Sequence, residues 1–533
     1  MKKKKRILLV SANADFILSG CDETAAKPLR RAAAFIVPIN IATIAALTPD
    51  DYEVQLWDEI VQGPAEENLD ADYDLVGVSA YGEQLERGLA IVAAFRAKGI
   101  TAVIGGAGVT GHAMNALGKA DAIFVGEAET TWPEFLADWE AGRHRERYQP
   151  ATLPSLANSP PPKWDSIADQ FATKYKTGAV QINRGCPHRC EFCNVWLDFG
   201  RKIRTKPVPQ VLDELRTLER LGMKRVMLCS DNFVGDPRYA KELLRAVIPL
   251  NNSFRYPLTF NTETTVKVAE DEELLELFAA AALSTIFIGI ESPNRASLIE
   301  TRKHHNAKSD LVLQCRKINS YGIPIVGSMI VGFDSDGPDI FDAHYRFVQD
   351  AHIPYARVNL LKAGRGTQLF DRMVAEGRVI DMERTFPIRP ISNSVMDTNV
   401  IPSGMTRVQL YQGYLGLIER IRDWRNFGER TLAFVDDVAR IPDRRPDERL
   451  LPVADEIRRS LVATPGVNVE IVEEIYARTR AKVPALLWEI MSITMIQKFD
   501  AESLPKERGI LARQIELEQA LEASGARVLE GVA

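Results

Sequence analysis

The sequence predicts an α/β protein with an N-terminal Rossmann-like, doubly wound parallel sheet, a partial (β/α)6 barrel and a mainly helical C-terminal domain. Three observations predict this fold class. Short apolar runs alternate with helix-like segments up to residue 141, the same alternation resumes at residue 179, and it fades after about residue 385. Short apolar strands separated by helices of about 10–15 residues are typical of parallel sheets.

The first part is predicted to be a domain spanning residues 1–145. Its apolar runs predict strands at 7–10, 52–58, 74–80, 102–106 and 121–127. The segments between them predict helices at 39–47, 86–98 and 130–141. Sheets of this kind bind ligands at the carboxyl ends of their strands.

A linker is predicted at 146–175, where the string LPSLANSPPPKW is rich in Pro and Ser. The second domain, 176–385, has strand-like runs at 179–184, 225–230, 258–263, 285–291, 325–332 and 356–361. Each run is followed by a helix-like segment. Six such units predict a partial parallel barrel with its chemistry at the carboxyl ends of the strands.

The third domain, 386–533, contains no cysteine, which argues against a second metal cluster there. Its helices are predicted at 409–424, 469–479, 485–498 and 506–524.

Composition excludes several classes of protein. The chain of 533 residues has 46% hydrophobic and 26% charged residues and a net charge of −6, so overall basicity gives no reason to predict binding to nucleic acid. No apolar stretch reaches the 18 residues typical of a membrane-spanning helix. Six cysteines are too few for a disulfide framework in a chain of this length. Three of them lie within eight positions, which suits a reducing, cytoplasmic location.

Those three cysteines are the most informative feature of the chain. Cys186, Cys190 and Cys193 form the pattern Cys-x3-Cys-x2-Cys directly after the first strand of the predicted barrel. Three thiolates can hold three irons of a 4Fe–4S cube and leave the fourth iron open, whereas most clusters have four cysteine ligands. The alternative is a zinc site with His188 as the fourth ligand, although zinc motifs more often consist of paired Cys-x2-Cys units.

The strings RGCPHRCEFC, CSDNF, FIGIES, IVGFDSDGPDIF and IPSGMTRVQLYQGY resemble the radical S-adenosylmethionine (radical SAM) superfamily. Phe192, the aromatic residue before the third cysteine, is part of that resemblance. The resemblance implies a 4Fe–4S cluster whose open iron binds the amino and carboxylate groups of S-adenosylmethionine. It also implies reductive cleavage of S-adenosylmethionine, usually to a 5′-deoxyadenosyl radical.

Polar residues at successive strand ends are the predicted contacts of S-adenosylmethionine. They are Asp231, Glu263 and Glu291, and Ser328 within the fifth strand is added to them. Asp231 stands where many members of the superfamily carry a Gly-Gly-Glu turn. Carboxylates at neighbouring strand ends can pair with an ammonium group and with ribose hydroxyls. The sequence identifies no catalytic acid or base.

The strings VIGGAGVTG (103–111) and FVGEAE (124–129) resemble the cobalamin-binding domain found in one branch of the superfamily. Gly105, Gly106 and Gly108 would let the backbone approach cobalamin closely. Many cobalamin proteins carry Asp-x-His-x-x-Gly after the second strand. This chain has Ile60 where the histidine would stand, so no side chain is expected to bind cobalt from below.

The resemblance implies a cobalamin-dependent methyltransferase that acts on an unactivated carbon or on phosphorus. One alternative is a cobalamin-free enzyme of the same fold that transfers the 3-amino-3-carboxypropyl group or performs oxidative or cyclising chemistry. A second alternative is a zinc-stabilised binding protein without activity. The expected partners are a small-molecule or lipid-like substrate and an external one-electron donor such as flavodoxin or ferredoxin.

Overall fold

The computed structural model describes residues 3–13, 34–68, 72–380, 396–440 and 447–524. The chain divides into two compact units. Within the described residues, the first comprises 3–13, 34–187 and 195–229, and the second comprises 188–194 and the residues from 230 onwards. The predicted domain boundaries stay predictions, and the one at 385 lies outside the described residues.

The strands of the first unit are numbered in chain order. They are β1 (Arg6–Ser11), β2 (Ala34–Ile36), β3 (Glu53–Asp58), β4 (Leu75–Ser79), β5 (Thr101–Gly105), β6 (Ala122–Phe124), β7 (Arg147–Tyr148), β8 (Tyr175–Gln181), β9 (Asn183–Arg184), β10 (Arg204–Thr205) and β11 (Arg225–Cys229). The α-helices of this unit are Ile39–Leu47, Glu59–Gln62, Ala65–Asn68, Leu85–Ala97, Ala107–Gly111, Ala113–Ala116, Thr131–Glu140, Phe171–Lys174, Val195–Asp198 and Val208–Arg220.

Six of these strands form a parallel sheet in the order β3-β1-β4-β5-β6-β7. The first five follow the flavodoxin-like order 2-1-3-4-5, in which the strand order reverses between β1 and β4. The sheet forms because its central strands are almost wholly apolar. Leu8, Val10, Val76, Val78 and Ile104 are buried in one core with residues of the helix Leu85–Ala97.

The first unit has a second group of parallel strands, in which β8 pairs with β2 on one side and with β11 on the other. A short antiparallel pair follows β8, in which β9 precedes and β10 follows the segment that contains Cys186, Cys190 and Cys193, called the cysteine loop below. The predicted linker contains more structure than its composition indicates. It supplies β7 to the edge of the sheet and 3-10 helices at Leu156–Asn158 and Asp165–Gln170.

The second unit begins with four parallel strands. They are β12 (Thr259–Thr264), β13 (Leu283–Glu291), β14 (Ile325–Val331) and β15 (Tyr355–Leu360), and each pairs with the next. The α-helices of this unit are Pro237–Ser253, Glu272–Ala280, Arg295–Glu300, Leu311–Ser320, Ile340–Asp350, Gln368–Ala375, Arg407–Arg422, Trp424–Asp437, Leu450–Val462, Val469–Lys482 and Leu487–Ser524.

One C-terminal prediction is wrong. The segments 485–498 and 506–524 were expected to be separate helices, but the structure has one helix from Leu487 to Ser524 that contains Pro505. Buried ion pairs hold this helix to Arg407–Arg422. Arg407 pairs with Glu518 at 2.8 Å, and Arg422 pairs with Glu507 at 2.6 Å. Tertiary contacts of this kind override the helix-breaking tendency of proline.

The six predicted strands of the barrel region agree with β8 and β11–β15 to within a few residues. The mainly helical C-terminal segment is also observed. Among the described residues, no helix combines the length and hydropathy needed to cross a bilayer.

Candidate active site

The cysteine loop begins in the first unit, directly after β9. Gly185 has φ +98°, and a Cβ there would lie 2.7 Å from the carbonyl oxygen of Lys202, so the turn into Cys186 requires glycine. The amide of Cys186 then donates to the carbonyl of Gly200 at 3.1 Å. The thiol of Cys186 is half-buried.

Arg184, two residues before Cys186, belongs to a buried network of charges in the first unit. It pairs with Glu127 and, at 2.7 Å, with Glu129. Arg204 donates to Glu127 at 2.8 Å. Both glutamates lie in the FVGEAE string that follows β6. Since buried charges are stable only when paired, these four residues fix the approach to the cysteine loop.

The rest of the loop belongs to the second unit. Cys190 is buried, Cys193 is half-buried, and the amide of Cys193 donates to the carbonyl of Cys190 at 3.2 Å. The main feature of their surroundings is Lys303. Burial alone would lower the pKa of Lys303, but the carboxylate of Glu291 and the thiols of Cys190 and Cys193 raise it, so this buried lysine stays charged.

Lys303 and Glu291 form a buried ion pair with an Nζ–Oε1 distance of 2.6 Å. Glu291 ends β13 at an irregularity in the strand register and has φ +65°, an uncommon conformation for a residue with a side chain. A Cβ at Gly289 would lie 2.4 Å from Oε1 of Glu291 and 2.8 Å from Nζ of Lys303. The glycine of the FIGIES string therefore leaves the space that the ion pair occupies.

Two histidines stack beside this pair. The rings of His188 and His305 have centroids 3.8 Å apart with an interplanar angle of 16°. Burial, together with the charges of Lys303 and Lys267, lowers the pKa of His188 to about 4, and similar causes lower that of His305 to about 2. Both rings are therefore neutral at pH 7.

Of the other predicted contacts, Glu263 and Asp231 interact electrostatically. Glu263 is exposed at its surface, but protein atoms crowd around its carboxyl group and partly desolvate it. This desolvation, together with the charge of Asp231, raises the pKa of Glu263 to about 7. Ser328 lies in the middle of β14, in register with Gly289 on β13 and Arg357 on β15. Phe192 packs against Phe333, with ring centroids 6.0 Å apart.

The three predicted cobalamin glycines lie at the end of β5, where they contact the segment after β4. A Cβ at Gly106, where φ is +103°, would lie 2.5 Å from the carbonyl oxygen of Ala80. A Cβ at Gly108 would lie 2.3 Å from that of Tyr81, and one at Gly105 would lie 3.1 Å from Phe124. Packing within the protein is therefore sufficient to require glycine at positions 106 and 108.

Ile60 follows β3, which is the edge strand of the sheet. It lies in a closed turn, where the side chain of Asp58 accepts from the amide of Ile60 and Gly63 ends the turn with φ +82°. The strand order reverses one strand away, between β1 and β4. Sheets of this order bind their ligands at that reversal.

A family model described as the radical SAM superfamily matches residues 180–348, which contain all three cysteines. The chain carries a radical SAM domain. A second match, to a domain of unknown function (DUF4070), covers residues 367–476. The predicted superfamily is thus confirmed.

Curated proteins similar to this chain include several methyltransferases. An uncharacterized methyltransferase of Synechocystis is 32% identical over 64% of this chain and 64% of its own length. The hopanoid C-2 methylase of Rhodopseudomonas palustris is 30% identical over 65% of this chain and 66% of its own length. The bacteriochlorophyllide d C-12(1)-methyltransferase of Chlorobaculum tepidum is 26% identical over 65% and 76%. The chain thus spans just under two thirds of the length of the first two relatives.

Two solved radical SAM enzymes have a similar fold. The cobalamin-dependent enzyme OxsB, with aqua-cobalamin and S-adenosylmethionine bound, aligns with a TM-score of 0.59 at 14% identity over 97% of this chain and 84% of its own. The methyltransferase TsrM from Kitasatospora setae, with cobalamin and a [4Fe-4S] cluster bound, aligns with a TM-score of 0.55 at 16% identity over 70% and 75%. At such identities the likeness supports the fold alone, and the predicted fold class is confirmed.

The radical SAM domain implies a 4Fe–4S cluster and S-adenosylmethionine, and the donor set of the loop fits the cluster. In the part of the chain that the structure describes, no three His, Cys, Asp or Glu side chains converge closely enough to hold one metal ion. His188, the fourth ligand in the zinc alternative, stacks on His305. The match to the radical SAM model is the finding that favours the cluster.

Lys303 is the site residue that sequence reasoning missed. Lys303 lies twelve positions after Glu291, beyond the helix Arg295–Glu300. It directly precedes His304 and His305, whose side chains are more common candidates for a functional site. No motif marks it, because its position depends on how that helix returns the chain towards β13.

Proposed function

We propose that this protein is a cobalamin-dependent radical SAM methyltransferase that acts on an unactivated carbon or on phosphorus. The observation that supports it most is the combination, in one chain, of a flavodoxin-like parallel sheet and a three-cysteine loop that follows β8 and β9. When bound, the cluster supplies an electron that cleaves S-adenosylmethionine, and cobalamin supplies a methyl carrier. The methyltransferase names of the relatives support the same reaction class.

In this proposal Cys186, Cys190 and Cys193 are the only protein ligands of the cluster. Lys303 is a buried cation that interacts electrostatically with Cys190 and Cys193, so it is suited to bind the carboxylate of S-adenosylmethionine in a charge-assisted contact. Glu291 keeps Lys303 charged and in place. Phe192 packs against Phe333 and thereby fixes the backbone next to Cys193.

Asp231 and Glu263 form the acidic side of the proposed pocket. Their mutual repulsion, which helps to raise the pKa of Glu263, would be relieved by an ammonium or sulfonium group. Ser328 offers a hydroxyl group in the row between Gly289 and Arg357, where it can accept or donate a hydrogen bond to a ribose. On β14 the apolar side chains that share the face of Ser328 are the half-buried Val326 and Ile330, and water exclusion at that face would come from them.

For cobalamin, we propose binding at the carboxyl ends of the strands near Gly105, Gly106 and Gly108, with no lower ligand from Ile60. A specific observation favours the cobalamin-free rival. The close contacts of Gly106 and Gly108 with Ala80 and Tyr81 explain two of the glycines without any ligand. The rival would transfer the 3-amino-3-carboxypropyl group or perform another radical reaction.

The proposed substrate is a small molecule or a lipid, and the proposed reductant is a flavodoxin or ferredoxin in the cytoplasm. The names of the relatives include a hopanoid methylase and a bacteriochlorophyllide methyltransferase, which supports a large apolar substrate for this group of enzymes.

Analysis of the products of S-adenosylmethionine cleavage tests the proposal. The full chain is reconstituted anaerobically with iron and sulfide, reduced, and given S-adenosylmethionine with or without methylcobalamin. Methyl transfer with radical formation yields S-adenosylhomocysteine and 5′-deoxyadenosine, both dependent on cobalamin when substrate extract is present. Transfer of the aminocarboxypropyl group leaves 5′-methylthioadenosine instead. If 5′-methylthioadenosine is formed, or if added cobalamin does not change the rate of turnover, the cobalamin-free rival is supported and the proposal is overturned.

A further inference from the structure

A second network of charges in the second unit involves Glu191, the residue between Cys190 and Phe192. Glu191 is buried, with 5% of its surface exposed. Its carboxylate accepts two hydrogen bonds from Arg372, Nε to Oε1 at 2.7 Å and Nη2 to Oε2 at 3.2 Å. A two-point contact of this kind fixes the orientation of both groups as well as their distance.

The backbone of Glu191 is held at both of its polar atoms. Its amide donates to the carbonyl of Thr301 at 2.9 Å, and its carbonyl accepts from the amide of Leu369 at 3.1 Å. Leu369 is in the first turn of the helix Gln368–Ala375, where amides have no partner within the helix. Both polar backbone atoms and both carboxylate oxygens of this one loop residue are thus engaged.

Arg372 is itself held from the other side. Its Nη1 donates to Asp334 at 2.6 Å, and Arg378 pairs with the second oxygen of Asp334. The hydroxyl of Ser403 donates to Asp334 at 3.1 Å. The positive charges of the two arginines lower the pKa of Asp334 although burial raises it, so the aspartate stays ionised. The arginine that reaches the cysteine loop is therefore oriented by groups outside that loop.

Apolar packing adds to the same attachment. Phe192 packs in a cluster with Phe333, Leu369 and Met373, so the helix Gln368–Ala375 contacts two consecutive residues of the loop by two kinds of interaction. This helix begins the segment matched by the domain of unknown function, whereas the loop belongs to the radical SAM match.

We propose that the helix Gln368–Ala375 is a clamp for the cluster, in which Arg372 acts as a positioning residue that holds Glu191, and with it Cys190 and Cys193, in the geometry that retains the cluster. This assigns a role to the beginning of the segment of unknown function. The proposal rests on the proposed function, because it requires that the loop binds a 4Fe–4S cluster. Arg372 touches neither the cluster nor S-adenosylmethionine in this account.

The test uses the full chain, reconstituted anaerobically, with the variants Arg372→Ala, Arg372→Lys and Glu191→Gln. Groups that orient metal ligands commonly change metal affinity or activity by about 10- to 100-fold. We expect Arg372→Ala to lose iron and sulfide on gel filtration and to cleave S-adenosylmethionine at least about 10-fold more slowly. Arg372→Lys, which keeps the charge but not the two-point contact, should be intermediate.

The reduction potential of the cluster separates positioning from a general loss of structure. Potentials respond to nearby charge and hydrogen bonding. Arg372→Ala leaves the negative charge of Glu191 unbalanced, so the potential should become more negative. Glu191→Gln removes that charge, so the potential should become more positive. The matched control is Arg420→Ala, because Arg420 lies in the segment of unknown function but pairs with Asp342, away from the cysteine loop in sequence. This variant should change neither iron content nor potential.

Each outcome decides the matter. Wild-type iron content and potential in a folded Arg372→Ala variant would overturn the clamp. If Arg372→Ala does not fold, the result for Glu191→Gln decides, because this variant keeps the shape of the side chain. A shifted potential with lower cluster retention in Glu191→Gln supports the clamp, and wild-type values overturn it. If the wild-type chain assembles no 4Fe–4S cluster, the proposed function fails first, and the clamp fails with it.

Discussion

Two loops carry motifs that suggest a cofactor, but their surroundings differ. One is the glycine loop at the end of β5, with Gly105, Gly106 and Gly108, and the other is the cysteine loop after β9. Contacts within the protein account for the main features of the glycine loop, since Gly106 and Gly108 lie against the carbonyls of Ala80 and Tyr81. The cysteine loop has features that packing does not require. A lysine ammonium is buried beside two thiols, and the carboxylate paired with it lies on a strained strand end.

The difference shows how strongly each region specifies a ligand. A close-packed backbone is satisfied without a cofactor, whereas a buried lysine with a shifted pKa next to cysteine side chains is more often found at a functional site. The cysteine loop therefore specifies a cofactor more strongly than the glycine loop does.

The largest effect is expected at the cysteine loop. Changing Cys186, Cys190 or Cys193 to Ala should abolish the absorption and the iron of the cluster as well as cleavage of S-adenosylmethionine. The control is Cys229→Ala, because Cys229 ends β11 outside the motif and the variant should keep its cluster. About four irons per chain in the triple Ala variant would mean that the ligands lie elsewhere.

Lys303 should have the next largest effect. Lys303→Met leaves Glu291 buried without its charge partner, which commonly costs about 3–5 kcal/mol of stability. The double variant Lys303→Met with Glu291→Gln should recover much of that stability, yet bind S-adenosylmethionine about 10- to 150-fold more weakly, since a hydrogen bond to a charged group contributes about 1.5–3 kcal/mol.

Isothermal titration of the reconstituted protein measures this loss. Lys267→Met is the matched control, because Lys267 is an exposed lysine that influences the same two histidines. If the double variant binds S-adenosylmethionine like the wild type, Lys303 has only a structural role.

These residues also show what the sequence could and could not predict. Strands such as β1, β4 and β13 were predicted because each is a run of apolar residues, and the cysteine spacing identified the superfamily. Lys303 and Arg372 were missed, since their roles depend on where a short helix returns the chain. The continuous helix through Pro505 was missed because buried ion pairs with Arg407 and Arg422, which are distant in the sequence, stabilise it, and a local pattern does not display such pairs.

The glycine loop should respond in stability. Gly108→Ala places a Cβ against the carbonyl of Tyr81, and Gly106→Ala adds strain at positive φ, so each should lower the free energy of unfolding by more than about 1 kcal/mol. Gly111→Ala is the matched control, because its Cβ would meet no atom within 4 Å.

Thermal unfolding with and without hydroxocobalamin measures this effect. The packing explanation predicts the same loss of stability in both conditions. Unchanged stability combined with lost retention of cobalamin would instead make these glycines ligand contacts, and the two loops would then be alike.

The smallest effect concerns pH. The pKa of Glu263 is raised to about 7 by burial and by Asp231, so the side chain is largely neutral at pH 6 and largely ionised at pH 8. Because a cationic ligand binds the ionised form, affinity for S-adenosylmethionine should rise several-fold, up to about tenfold, between these values. Glu263→Gln should remove this dependence. An equally steep pH profile in that variant would exclude Glu263 as its source.

Electron–nuclear double resonance of the reduced cluster, with S-adenosylmethionine labelled with ¹⁵N at its amino group, shows whether the open iron binds S-adenosylmethionine. We expect a ¹⁵N hyperfine coupling in the wild-type protein, because the three cysteines leave one iron open to that group. We also expect the coupling to be weakened or lost when Lys303 and Glu291 are replaced together. A 4Fe–4S signal that S-adenosylmethionine leaves unchanged, with no ¹⁵N coupling, would contradict this expectation.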